Sequence, residues 1–218
     1  MARIENDNIA NQSFHYISIV DGKFREKTTE DNPKAVKRTD KNGNEKFELA
    51  FSALEGYITN IEFKVSDYGE TCEITMEDKD EKNLLQIQTD SGNFRSLAKR
   101  LPNLDPKLST KFSVFKSTGE DGKVYTNIAV RQGDKTVADF FKEDVELPKG
   151  EPVKGKPYLN FFDANEYLKI KAVDVYMNKK GDFEPVFEVV HPADPTIPQP
   201  TQKDEPAAKP AGDDDLPF

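Results

Sequence analysis

The chain has 218 residues, enough for one domain with a real core plus appendages. Hydrophobic residues make up 35% and charged residues 33%, too polar for a wholly compact chain, so part of the length is expected to lie in tail or loop. The formal net charge of -9 argues at first sight against a ligand rich in phosphate, and Cys72, the only cysteine, excludes an intramolecular disulfide.

The start, "MARIENDNIA", holds no apolar run of the secretory kind, and no stretch is long enough to span a bilayer. With the single cysteine, this sets the expectation of a cytoplasmic protein with no membrane partner. "HYISIVDGKFREK" reads as a hairpin, because Asp21-Gly22 suits the positive φ angles of a tight I′ turn. "EDNPKAVKRTDKNGNEK" reads as a polar loop.

Three strands follow. In "YITNIEFKV" the alternation puts Tyr57, Thr59, Ile61, Phe63 and Val65 on one face and Asn60, Glu62 and Lys64 on the other. "TCEITME" points Cys72, Ile74 and Met76 inward, and "NLLQIQT" does the same with Leu85 and Ile87. The period then changes: Phe94, Leu97, Ala98 and Leu101 stand at i, i+3, i+4 and i+7, one apolar stripe of a short helix. Ser91 or Asn93 could cap that helix, and Pro102 stops it.

"TKFSVFKS" and "KVYTNIAVRQ" form a second hairpin, and "KTVADFF" and "EYLKIKAVDVYM" read as further strands. Three strands, a helix and a hairpin is the order of a five-stranded Greek-key barrel of the oligonucleotide-binding type. The expected fold is therefore mainly β: such a barrel with one short helix, over residues 1–190, carrying an added N-terminal hairpin and added C-terminal strands. Residues 191–218, "HPADPTIPQPTQKDEPAAKPAGDDDLPF", are too poor in large apolar side chains to offset their ordering entropy and are expected to form a disordered tail.

Charge is segregated along the chain. Ala53 to Asp90 holds ten acids against three bases, whereas Asn93 to Arg131 holds eight bases against three acids. Within that basic segment the second hairpin turns Phe112, Val114, Val124, Ile128 and Val130 inward. Its other face carries Lys111, Ser113, Phe115, Lys123, Tyr125, Asn127, Ala129 and Arg131. Rings among cations suit unpaired nucleotides, since rings stack on bases while Lys and Arg neutralise phosphates. Arg95, Lys99 and Arg100, on the polar side of the helix, could extend the basic track. The same mixture also occurs on ordinary exposed strands, where such side chains pair across strands or snorkel over the core.

The final "DDDLPF", behind a Pro- and Ala-rich spacer, resembles the C-terminal tip of single-stranded DNA-binding proteins of bacteria and their phages. Leu216 stands where that family commonly has isoleucine, and the body, lacking Trp and led by a hairpin, points to a diverged phage-encoded form. The resemblance implies a protein that coats and protects single-stranded DNA, without strong sequence preference, during replication, recombination or repair. It also implies a tip that recruits a polymerase, helicase or nuclease. Asp213, Asp214 and Asp215 would steer toward a basic patch, Leu216 and Phe218 would supply the buried anchor, and Pro217 would restrict the backbone before it. The plainer alternative for this segment is an acidic tail that keeps the chain soluble.

Catalytic constellations are not found. His15, His191 and Cys72 cannot make a zinc set, no phosphate loop of the Walker or dinucleotide type occurs, and "MEDKDE" falls in a predicted turn. No enzyme activity, cofactor or metal is expected. The competing reading is a β-domain adaptor whose tip is a docking peptide and whose body never touches nucleic acid. The oligomeric state, a homo-oligomer included, stays open.

Overall fold

A computed structural model describes residues 14–40, 42–79, 81–119, 122–141, 147–154 and 159–187, and it is mainly β. The first hairpin joins β1 (Phe14–Val20) to β2 (Lys23–Lys27), with Val20 opposite Lys23. Asp21 at φ 54° and Gly22 at φ 72° give the two positive angles that the sequence predicted for this turn. Gly22 is also confined by its neighbour: an added Cβ would lie 2.6 Å from the Lys116 Cγ.

The predicted polar loop instead holds β3 (Val36–Thr39) and the start of β4 (Glu45–Phe51), a further hairpin turned at Gly43 with φ 83°. Each of its pairs holds at least one charged residue, Val36 opposite Glu48, Lys37 opposite Phe47, Arg38 opposite Lys46 and Thr39 opposite Glu45, so alternation of apolar residues could not reveal it. Glu48 is what locks the hairpin to β2. Arg38 donates to its carboxylate through Nε and Nη2 at 2.9 Å each, and Arg25 through Nη1 at 3.2 Å.

β5 (Ala53–Ser66) is the long central strand, followed by β6 (Gly69–Asp78) and β7 (Glu81–Gln88). Its first residues pair with β8 (Thr110–Thr118) and the remainder with β6. A register shift between Ile58 and Asn60 reverses the side-chain phase. Leu54 and Ile58 therefore point into the core before the shift and Ile61 after it. This corrects the continuous alternation expected of Tyr57 and Thr59: both are only half-buried, and Val65 is exposed. The β6 and β7 assignments hold, with Cys72, Ile74, Met76, Leu85 and Ile87 all buried.

The helix α1 (Gly92–Ala98) starts where Ser91 Oγ accepts from the Phe94 N–H at 3.1 Å. Phe94, Leu97, Ala98 and Leu101 form its buried stripe as expected, and the chain leaves through a single 3₁₀ turn at Leu101–Asn103. β8 then pairs with β9 (Val124–Gln132), which is edged by β10 (Lys135–Thr136). Only those two residues of the predicted "KTVADFF" strand are extended. A small pair, β11 (Glu151–Pro152) and β12 (Leu159–Asn160), precedes the last element.

That element is a helix, α2 (Phe162–Lys180), where the sequence reading placed a strand. Val, Ile and Tyr in "EYLKIKAVDVYM" imitate strand composition, but Ala164, Leu168, Ala172 and Tyr176 recur every four residues and are all buried. Asp163 in the first turn, Lys179 and Lys180 in the last, and Gly181 just beyond at φ 54° are the signals that composition masked.

The strand order is β10-β9-β8-β5-β6-β7-β1-β2-β4-β3, an open ten-stranded sheet. The expected five-stranded barrel is thus not what forms. Its three strands, helix and hairpin are present in that order, but β7 takes β1 as its parallel neighbour and the sheet continues into the N-terminal strands. The sheet curls around one core: Ile17 and Phe24 from β1 and β2 join Val114 and Ile128 from β8 and β9, with Phe94 of α1 and Tyr176 of α2. Burying a side chain of the size of Phe24 or Tyr176 stabilises by about 1.5–3 kcal/mol each. No helix among the described residues is long and apolar enough to cross a membrane.

Candidate nucleic-acid interface

The β8–β9 register decides which side chains share a face. Lys111 stands opposite Arg131, Ser113 opposite Ala129, Phe115 opposite Asn127, and Ser117 opposite Tyr125. Between these pairs Phe112 faces Val130 and Val114 faces Ile128, and those four fill the core. The outward row therefore runs from two cations to two rings. Phe115 is 49% and Tyr125 46% exposed, far above the nearly complete burial of Phe112. Val124, expected inward, is exposed because it stands at the strand tip, beyond the core.

Cross-strand neighbours lie about 5 Å apart, where like charges repel. Lys111 against Arg131 is such a pair, partly relieved by Glu55 of β5, whose carboxylate is 3.3 Å from the Lys111 Nζ. Both partners of that ion pair are about half-exposed, so it contributes little and yields readily to another anion. Asn127 is oriented by donation to Ser117 Oγ at 2.7 Å. Lys123 is exposed at the turn before β9, with its carbonyl accepting from the Gly119 N–H at 2.9 Å.

The helix cations each have a partner. Lys99 and Arg100 both reach Asp139, at 2.9 and 3.0 Å, and Arg100 also donates to Ser96 Oγ at 2.7 Å. Arg95 lies 3.6 Å over the Phe161 ring and borders a cleft of about 690 Å³ shared with Asp90, Asn165 and Glu166. The structure thus brings Lys111, Phe115, Tyr125, Asn127 and Arg131 together, and gives Arg95, Lys99 and Arg100 partners elsewhere. Asp213, Asp214, Asp215, Leu216, Pro217 and Phe218 lie outside the described residues, as does His191.

Cys72 is buried in the sheet, and burial, with Glu70 and Glu73 nearby, pushes its thiol up to about 12. Such a group stays protonated and packs as a small apolar side chain. Among the described residues no three His, Cys, Asp or Glu side chains gather where they could hold a metal ion.

Sequence reasoning missed a second outward surface, on the N-terminal strands. Tyr16 is 58% and Phe14 46% exposed on β1, alternating with His15 and the buried Ile17. The alternation in "FHYISIV" carries that signal, beyond the hairpin that Asp21-Gly22 marks. The chain matches no family profile, no curated protein and no solved structure.

Proposed function

We propose that this protein binds single-stranded DNA without strong sequence preference, as a non-catalytic coat during replication, recombination or repair. We propose further that it recruits partner proteins through its "DDDLPF" tip. One observation carries the DNA reading: Phe115 and Tyr125 hold half-exposed rings on the same strand face as the opposed cations Lys111 and Arg131. Placing two cations opposite each other costs stability unless an anion sits between them, and a phosphodiester supplies one. Unpaired bases then stack on the rings, whatever the base. The barrel of the oligonucleotide-binding type is not part of this reading, because the face belongs to one hairpin and does not depend on closure.

The partner reading rests on sequence alone. Three carboxylates steer toward a basic surface, and the terminal ring after Pro217 gives a preordered anchor. A host-cell cytoplasmic setting and a phage origin belong to the same proposal.

A gel-shift series at low salt tests it, with single- and double-stranded DNA and with Lys111→Glu/Arg131→Glu beside the unaltered protein. The expected result is a shift of single strands that the charge reversal removes. Absence of any shift of single strands by the unaltered protein would favour the adaptor reading.

A further inference from the structure

We infer that the outward face of the N-terminal strands is a second contact surface for the same single strand, centred on Tyr16 and Lys27. The inference rests on the DNA-binding reading above, but on different residues and a different part of the sheet.

Tyr16 stands opposite Leu84 of β7 in the parallel register, and the β1–β2 register carried one pair beyond Ile17 and Glu26 sets Lys27 on its other side. Tyr16 and Lys27 both line a groove of about 550 Å³, together with Ser18, Arg25, Lys46 and Gln86. The Tyr16 ring is more exposed than either ring of the β8–β9 face, and Phe14 adds a second ring two positions earlier on the same side. A ring left 58% in water beside a groove is placed to stack on a planar group.

The charge around the groove favours an anion. Glu48 is shared by two guanidiniums, Arg25 and Arg38, which leaves one positive charge in excess. Lys46 is matched by Asp40 at 3.2 Å, and Glu45 by Lys37 at 2.7 Å. Lys27 is exposed and pairs with no carboxylate among the described residues, so the surface is positive overall. A ring and an excess of cations are what an unpaired nucleotide requires, and Gln86, whose amide donates to Glu73 Oε1 at 2.9 Å, borders them.

Four strand steps separate β1 from β8 in the sheet order, about 19 Å along the surface. Of the carboxylates on that path, Glu77 is paired with Lys82 at 3.0 Å and Glu55 with Lys111 at 3.3 Å, while Glu62 and Glu73 share the single Lys64, at 3.2 and 2.6 Å. A strand that engages both surfaces of the same molecule spans that distance and crosses one uncompensated carboxylate.

The test uses the full chain and fluorescent oligo(dT) of about 16 nucleotides, a length within the range such single-strand binders cover. Tyr16→Ala is expected to weaken binding about 5-fold or more, Tyr16→Phe to restore it, and Lys27→Glu to weaken it and flatten its salt dependence. Ultraviolet crosslinking of the oligonucleotide, mapped by mass spectrometry, is expected to mark Tyr16. If the unaltered protein binds while Tyr16→Ala and Lys27→Glu bind equally well and no crosslink falls on β1, this inference is overturned and the β8–β9 reading stands. If the unaltered protein binds no oligonucleotide at low salt, both fall together.

Discussion

Phe115 follows the buried Val114 in β8, whereas Tyr125 lies between the exposed Val124 and the half-buried Thr126 near the tip of β9, and both rings are about half-exposed. Replacing either by Ala removes a stacking partner worth about 1–3 kcal/mol, a loss of about 5- to 150-fold in affinity for oligo(dT), and leaves the fold intact. Thermal melts run beside the titrations check that separation. Lys111→Ala should act differently. It removes one phosphate contact, so the slope of log affinity against log salt should fall by about 0.7, whatever the sequence. Glu48 gives a prediction independent of DNA. The Arg38 guanidinium, with Arg25 behind it, holds its carboxyl below the ordinary 4.5. A carboxylate with a depressed folded pKa contributes stability that is complete above its unfolded value and is lost as pH falls through the folded one. Melting temperature should therefore drop below about pH 4.5, and Glu48→Gln should flatten that acid limb.

At the scale of elements, α2 is the test of the packing account. Leu168 is fully buried in the core, on a helix that packs against α1 and the 3₁₀ turn, so Leu168→Ala should cost about 2–5 kcal/mol in urea unfolding. An exposed neighbour such as Ile170 should tolerate Ala with little change. A strand over the same residues would instead put Leu168 and Ile170, two positions apart, on one face, and the two substitutions would not separate so cleanly. This helix also shows where the sequence was legible and where it was not. The α1 stripe, the Asp21-Gly22 turn and the β8–β9 faces depend on neighbours a few residues apart, and local pattern revealed them. The β5 register shift, the Lys111–Glu55 ion pair and the parallel β1–β7 pairing depend on which distant strand arrives alongside, and no local pattern encodes that. In α2, β-branched residues offset the four-residue period, and propensity misled.

For the whole molecule, an acidic total conceals a basic segment, Asn93 to Arg131, and the proposal divides the work between its strand face and the acidic sequence Asp213 to Phe218. Deleting Asp213 to Phe218 should preserve or tighten DNA binding, because the acids no longer compete for the same cations, while abolishing partner capture. Retained capture would remove the recruitment proposal and spare the DNA one. The central claim is that the β8–β9 face grips unpaired nucleotides through its rings and cations together. The most direct measurement is a low-salt fluorescence titration of oligo(dT) with the chain ended near residue 195, compared with the same chain carrying Phe115→Ala and Tyr125→Ala. Saturable binding that the double substitution weakens by at least tenfold is the predicted result. Equal affinity of the two proteins, or no binding by either, would contradict the account.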